Sequence, residues 1–238
     1  LDVQLTLDGQ VVVVHDADLL RVAGDSRLIE DLTYDELTRI PLFPNGKSGD
    51  LKAEPLPGAG ENPPLVVTPS AAPEGYYQHV PLFSDVLDVV AGRAPLIVEY
   101  KFSNNRAWDE RSEELMEKGH ALLEAYDGPY VVESFHPGAV NWYKEHHPEV
   151  CRGQLSWPAK LDKHGVAEWT AGLLAFNWSS RPDFVAYDWT GGASPQVKLA
   201  RSMGATAVSW TVRSSEELAQ CEPYFDRHIF EAFVPDEV

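Results

Sequence analysis

The chain has 238 residues, of which 44% are hydrophobic and 24% are charged, a composition that excludes a disordered tail, a coiled coil and a collagen-like rod. Nineteen Lys and Arg residues against 37 Asp and Glu residues give a net charge of −18, and a surface of that sign repels nucleic acid and anionic membranes. A phosphate ester could still be a substrate if a bound divalent cation neutralised it locally.

The chain opens with a predicted β-hairpin. Residues 1–6 alternate apolar and polar side chains, Asp8 and Gly9 supply a turn, and a second β-prone run covers residues 11–14. A capping box over residues 33–36 then predicts a short helix. Residues 44–80 are rich in Pro and Gly without a sustained period, and we interpret them as a long inserted loop.

From residue 82 onward, predicted strands and helices alternate. The predicted strands cover residues 95–101, 130–134, 151–157, 184–189, 206–211 and 227–231. The predicted helices cover residues 84–90, 109–125, 138–147, 164–176, 195–203 and 215–221. This alternation predicts an α/β fold with a parallel sheet. With residues 1–6 it gives about seven strands, one short of a (β/α)8 barrel. A doubly wound sheet is the alternative, but it is disfavoured because the sequence has no dinucleotide or P-loop motif.

Charged side chains recur where the predicted strands end, which is where a βα barrel carries its active site. Asp2 lies in the first strand, His15 follows the hairpin, and Glu99 and Lys101 end the strand at 95–101. Glu99 and Lys101 are two residues apart and therefore share one face of that strand. A carboxylate and an amine there suit a metal ion and a phosphate, whereas a structural ion pair and a histidine without a role are the alternatives.

The opening run LDVQLTLDGQVVVVHDADLLRVAG resembles the signature of the glycerophosphodiester phosphodiesterase family. Asp2 matches the second acid of a Glu-x-Asp pair, residues 6–9 match a T-x-D-G turn, and residues 13–16 match a segment with a catalytic histidine. Three later runs, LIVEYK, ESF and VSWTV, resemble the later motifs of the family. The resemblance covers the chain outside residues 44–80.

The resemblance implies a (β/α)8 TIM barrel, with residues 1–238 as a single catalytic domain interrupted by the insertion at about 44–80. It implies hydrolysis of small glycerophosphodiesters to glycerol 3-phosphate and an alcohol, with Mg²⁺ or Ca²⁺ as cofactor. By this resemblance, Asp2 and Glu99 are the metal ligands, and His15 is the acid/base that protonates the leaving alcohol. Lys101 is the amine that binds the phosphate, and Phe135 and Trp210 are the aromatic residues on the glycerol side.

The chain also departs from the family pattern. The H-R-G and E-N-T segments that open the family are absent, and a further Glu ligand would stand directly before Leu1, so we expect the first βα unit to be missing. Arg213 stands where the family often has Asn. Glu231 lies in the segment where the family usually has T-D-x-P. A catalytically inactive barrel that acts as a binding domain and a phospholipase D-like enzyme on choline lipids are therefore alternatives.

Two further features bear on where the protein acts. Cys151 and Cys221 do not make a disulfide framework and suggest a reducing compartment, and we expect a cytoplasmic protein. The sequence has no run of 18 apolar residues, so it predicts no transmembrane segment. The oligomeric state stays open.

Overall fold

The computed structural model describes residues 1–42, 78–102 and 107–235, together with the backbone of residues 54–55 and 65–66. Most of the predicted insertion at 44–80 lies outside the described residues. The described strands are Asp2–Leu5 (β1), Val11–Val13 (β2), Asp18–Leu19 (β3), Asp25–Leu28 (β4), Glu54–Pro55 (β5), Leu65–Val66 (β6), Leu96–Tyr100 (β7), Tyr130–Ser134 (β8), Arg152–Ser156 (β9), Phe184–Asp188 (β10), Thr206–Val212 (β11) and Arg227–Phe230 (β12).

The described helices alternate with these strands. They are Leu20–Ala23 (α1), Tyr34–Leu37 (α2), Phe83–Val90 (α3), Glu110–Glu124 (α4), Pro137–His146 (α5), Leu161–Gly172 (α6), Asn177–Ser180 (α7), Pro195–Ser202 (α8) and Ser215–Cys221 (α9), with 3₁₀ turns at Ile29–Asp31 and Trp189–Gly191. The predicted alternation of strands and helices is confirmed. The capping box at the start of α2 is also confirmed, since Thr33 and Glu36 each accept a hydrogen bond from the backbone of the other.

The described residues form two compact units, one up to Val150 and the other from Cys151 onward with the β5–β6 pair. In the first unit the strands are ordered β8, β7, β1, β2. The β1–β7 and β7–β8 pairs are parallel, and β2 returns antiparallel to β1 as the turn at Asp8 and Gly9 predicts. Gly9 has φ +74°, a conformation that suits glycine.

Alternation along the strands separates two faces of the first unit. Val3, Val98, Tyr100 and Val132 point toward the helices and belong to one buried core with residues of α3, α4 and α5. The Tyr100 hydroxyl shares a 2.8 Å hydrogen bond with the Tyr143 hydroxyl of α5. The polar residues between these positions, beginning with Asp2, therefore lie on the opposite face.

In the second unit, β9, β10, β11 and β12 form successive parallel pairs. The buried core of this unit joins side chains of β10 and β11 to the helices that follow them, and it includes Val185, Tyr187, Val197, Ala207 and Phe225. Within the described parts of the chain, no helix combines the length and the apolar character needed to cross a bilayer.

The hairpin of β3 and β4 was not predicted. It follows the His15 segment directly, and the four-residue helix α1 joins its two strands. β3 has only two residues, too few for an alternating pattern, and the pairing shifts register between Asp18 and Leu19. Such a short element depends on its tertiary neighbours rather than on its own periodicity.

Candidate active site

Three acidic residues form a row across three neighbouring strands of the first unit. Asp2 of β1 pairs in register with Glu99 of β7, and Glu99 pairs in register with Glu133 of β8. Each lies next to a valine that points to the helix-covered core, so the three carboxylates share the other face of the sheet. The register thus brings together acids that are far apart in the sequence.

Lys101 joins two of these acids. Its Nζ lies 3.3 Å from Oδ1 of Asp2 and 3.6 Å from Oε1 of Glu99. Asp2 also raises the pKa of Glu99, as expected for two carboxyl groups that lie close together. The structure therefore brings Asp2, Glu99 and Lys101 together. We call these three residues with Glu133 the acidic cluster.

Three acids and Lys101 share the acidic cluster, and two of the acids are held in an unusual state. Burial, and then the nearby Asp2 carboxyl group, raise the pKa of Glu99 to about 8, although Lys101 opposes the shift. Burial likewise raises the pKa of Glu133 to about 7. Oε2 of Glu133 is buried without a hydrogen-bond partner among the described residues. Near neutral pH the cluster therefore retains protons that ordinary carboxyl groups would have lost.

The donor set of the acidic cluster fits a hard divalent cation. Mg²⁺ and Ca²⁺ prefer carboxylate oxygens, and Mg²⁺ commonly takes one or two carboxylates and completes its shell with water and substrate phosphate. Asp2 and Glu99 supply such a pair, and a cation between them would stabilise the ionised form of Glu99, whose pKa is raised by burial and by Asp2. Within residues 1–42, 78–102 and 107–235, no three His, Cys, Asp or Glu side chains are grouped to hold a metal by themselves. A cation on this pair would thus need further ligands.

His15 lies on the loop after β2, close to the first residue of the acidic row. The backbone N–H of Val14, the residue before His15, donates to the carbonyl of Asp2 at 3.0 Å. The imidazole itself is exposed, and its Nδ1 lies 2.6 Å from Oδ1 of Asp16. His15 is therefore anchored beside Asp2 through the backbone, whereas its ring bonds to Asp16 and not to the acidic cluster.

The contacts of Asp16 and Arg21 determine which ring nitrogen of His15 is the hydrogen-bond donor to Asp16. Oδ2 of Asp16 accepts a 2.7 Å hydrogen bond from Nε of Arg21. That bond, followed by the one with His15, lowers the pKa of Asp16, so its carboxylate is ionised and can only accept. Nδ1 of His15 must then be the donor, which leaves Nε2 as the ring nitrogen that faces away from Asp16.

The two predicted aromatic residues lie in different units. Phe135 follows the last residue of β8 in the first unit and is half-buried. Trp210 is half-buried in β11 of the second unit, where it pairs in register with Asp188 of β10. Their predicted role on the glycerol side stays a prediction.

A small cleft has Gln4, Lys101 and Phe102 in its wall. Arg111 of α4 and the acidic Glu30 also line this cleft. Nη2 of Arg111 donates to the backbone carbonyl of Thr6 at 2.7 Å, which holds that guanidinium at the end of β1.

Comparison with known proteins identifies the family. The model of the glycerophosphoryl diester phosphodiesterase family matches residues 1–225. The chain belongs to this family. A glycerophosphodiester phosphodiesterase of Bacillus altitudinis is 26% identical over 159 residues, which are 63% of this chain and 51% of the relative. The matched region thus spans about half the length of that relative.

Solved structures of phosphodiesterases share the fold. A phosphodiesterase of Oleispira antarctica, solved in complex with the product sn-glycerol-3-phosphate, has a TM-score of 0.66 at 18% identity over 98% of this chain and 79% of its own. The glycerophosphodiester phosphodiesterase of Thermotoga maritima has a TM-score of 0.61 at 18% identity over 98% and 80%. These matches confirm the predicted α/β fold of the TIM-barrel type. The absence of a first βα unit stays a prediction.

The two departures from the pattern of the phosphodiesterase family within this chain contact each other. Nε of Arg213 lies 2.7 Å from Oε1 of Glu231, and both side chains are exposed. The backbone N–H of Glu231 also donates to the carbonyl of Val212. Glu231 therefore pairs with a cation of its own unit.

Sequence reasoning did not assign two groups of residues in the candidate site of this phosphodiesterase family member. No site role is predicted from the sequence for Glu133, Asp16 or Arg21. A signal for Glu133 exists, because Glu99 and Glu133 are each the fourth residue of their strands, in LIVE and YVVE. Arg21 carries no comparable signal, since it lies on α1, between the two strands of the unpredicted β3–β4 hairpin.

Proposed function

We propose that this protein hydrolyses glycerophosphodiesters to glycerol 3-phosphate and an alcohol. The observation that carries the proposal is the acidic cluster, with Lys101 in contact with Asp2 and Glu99, beside a loop that presents an oriented histidine. Family membership over residues 1–225 supports the reaction class. The product in the Oleispira antarctica phosphodiesterase, which shares the fold, supports glycerol 3-phosphate as the released phosphate ester.

Asp2 and Glu99 are the residues that would hold a Mg²⁺ or Ca²⁺ ion. When bound, such an ion supplies positive charge to the phosphoryl oxygens, where negative charge develops during hydrolysis. Lys101 supplies a second positive charge on the same face, and its ammonium group would bind a phosphate oxygen. The excess of acids over cations in this cluster is what makes a cation favourable there.

His15 is the proposed general acid for the leaving alcohol. Asp16 accepts a hydrogen bond from Nδ1–H and orients the ring, so that Nε2–H of the protonated imidazole can donate a proton to the departing oxygen. Arg21 keeps Asp16 in place through its second oxygen. Phe135 and Trp210 are the proposed apolar contacts for the glycerol carbons.

Product analysis tests this proposal directly. The chain is incubated with sn-glycero-3-phosphocholine and Mg²⁺ or Ca²⁺, and glycerol 3-phosphate and choline are quantified. We expect both products in equal amounts, and we expect turnover to stop in EDTA and return with excess cation. Phosphocholine and glycerol as products would contradict the bond assignment, and full turnover in EDTA would remove the cation from the proposal. Binding of the diester without turnover, with the cation present, would favour the inactive binding domain.

A further inference from the structure

The side chain of Gln4 holds the loop that carries His15. Gln4 lies two residues after Asp2 on β1, so both side chains are on the same face. Its Nε2 donates to the carbonyl of Val14 at 2.9 Å and to that of Asp16 at 2.8 Å, and it lies 3.4 Å from the carbonyl of His15. An amide nitrogen has two hydrogens, so the two shorter contacts are its full hydrogen bonds. The residues on both sides of His15 are thereby fastened to β1.

This arrangement requires the chemistry of glutamine. The side chain is buried, with 8% of its surface exposed, and it needs two donors at the end of a long neutral chain. Glutamate has the same length but presents acceptors to acceptors, and asparagine is shorter by one methylene group. Methionine matches glutamine in length but donates no hydrogen bond, which makes it the most informative replacement.

The two hydrogen bonds of the Gln4 side chain, which we call the Gln4 clamp, are one of three sets of contacts that hold His15 and its neighbours. The Val14 N–H bonds to the carbonyl of Asp2, Asp16 bonds to the ring, and Gln4 bonds to the carbonyls of Val14 and Asp16. Gln4 also lines the cleft with Lys101. The same strand therefore carries an acid of the cluster and the group that fixes the histidine loop against it.

We propose that Gln4 is a positioning residue that sets His15 relative to the acidic cluster for proton transfer to the leaving alcohol. This inference rests on the proposed function, because it needs His15 to act as the general acid. Proton transfer depends steeply on distance and direction, and a displacement of about 1 Å can lower a rate by about 10²-fold. Releasing the two carbonyls would allow the loop such a displacement while leaving His15, Lys101 and the acids of the cluster in the chain.

The test compares two substrates that need the acid to different degrees. The choline ester of glycerol 3-phosphate releases an alkoxide, which requires protonation, whereas the 4-nitrophenyl ester releases a stable phenolate. Gln4→Met should lower kcat on the choline ester by about 10- to 100-fold, with KM nearly unchanged, and should change kcat on the nitrophenyl ester by less than about threefold. A merely structural loss would lower both rates together.

A double-mutant cycle and a matched control complete the test. His15→Ala alone should lower kcat on the choline ester by about 10² to 10⁴-fold, and adding Gln4→Met to it should cause no further loss. Thr6→Val is the control, since Thr6 is another buried polar residue at the end of β1 whose hydroxyl bonds to Asp8 and Gln10 rather than to the histidine loop. Thr6→Val should lower the melting temperature and leave the ratio of the two rates unchanged.

The outcomes separate the inference from the proposed function. If His15→Ala is inactive on the choline ester while Gln4→Met matches the wild type, the inference is overturned and the proposed function stands. Equal losses on both substrates, or additive losses in the double variant, also overturn the inference. If His15→Ala is fully active, the proposed acid is wrong and the role of Gln4 falls with it.

Discussion

Two clusters of polar side chains, one in each unit, differ in how well their members are partnered. In the second unit, Ser209 Oγ lies 2.8 Å from Nδ1 of His228, and Cys221 Sγ lies 3.7 Å from that hydroxyl. In the first unit, Lys101 is the cation that the described side chains place against Asp2 and Glu99, and the charge of Asp2 adds to the burial that raises the pKa of Glu99.

From the residue types alone, the cluster of the second unit would be the better candidate for a catalytic site. Ser, His and Cys together resemble a nucleophile with its base, yet Ser209 is fully buried on the same face of β11 as the core residue Ala207. Burial lowers the pKa of His228 and raises the pKa of Cys221, so both stay neutral. A satisfied neutral cluster contributes to packing, whereas buried acids with strongly raised pKa values are typical of functional sites.

The largest expected effect comes from removing an acid of the first cluster. Glu99→Gln keeps the shape but removes a proposed cation ligand, and we expect kcat/KM to fall by about 10³-fold, equivalent to about 4 kcal/mol of lost electrostatic stabilisation. Ser209→Ala should change kcat/KM by less than twofold. Glu117→Gln, at an exposed position of α4, is the matched control for the charge change. A large loss in Ser209→Ala would reverse the comparison between the units.

Lys101 is expected to give the next largest effect. Lys101→Met retains most of the apolar stem and removes the ammonium, so kcat should fall by about 10²- to 10³-fold because one charge on the phosphate is lost. Steady-state kinetics at saturating cation measures this. A normal rate in Lys101→Met would reduce the contacts with Asp2 and Glu99 to a structural ion pair.

The protonated acids predict a particular pH dependence of stability in EDTA. The pKa values of Glu99 and Glu133 are raised from 4.5 to about 8 and about 7, respectively. The folded protein therefore binds more protons than the unfolded chain between about pH 4.5 and about pH 8. The free energy of unfolding should therefore fall as pH rises from about 4.5 to about 8. Urea unfolding across this range should show a smaller fall in Glu99→Gln. An unchanged slope in that variant would place the pKa of Glu99 near its ordinary value.

The smallest effect is expected at the exposed pair of the second unit. Arg213→Ala should lower the free energy of unfolding by less than about 1 kcal/mol, because exposed ion pairs are worth little and are screened by salt. Chemical denaturation at low and high salt measures this, with Glu231→Ala and the double variant completing the cycle. A change in substrate preference in Arg213→Ala would instead assign the pair to the substrate site.

The sequence predicts the elements of this fold better than the contacts of its site. Periodicity located the strands that carry Glu99 and Glu133, and motif resemblance identified Asp2, Glu99 and Lys101, which the structure brings together. The register that aligns Glu133 with Glu99 depends on tertiary pairing and is not encoded locally. The Gln4 clamp joins β1 to a loop, and the sequence does not predict it. A glutamine in an alternating strand indicates only that this face of the strand is polar.

Cation binding followed by isothermal titration calorimetry tests the central claim most directly, namely that Asp2 and Glu99 form a divalent cation site. Wild-type protein should bind Mg²⁺ or Ca²⁺ at one site, and near pH 7 binding should release protons from the acidic cluster, as buffers of different ionisation enthalpy would reveal. Asp2→Asn and Glu99→Gln should abolish both the binding and the proton release, while Glu117→Gln should retain them. Equal binding by all four proteins, or no binding by the wild type at millimolar cation, would contradict the account.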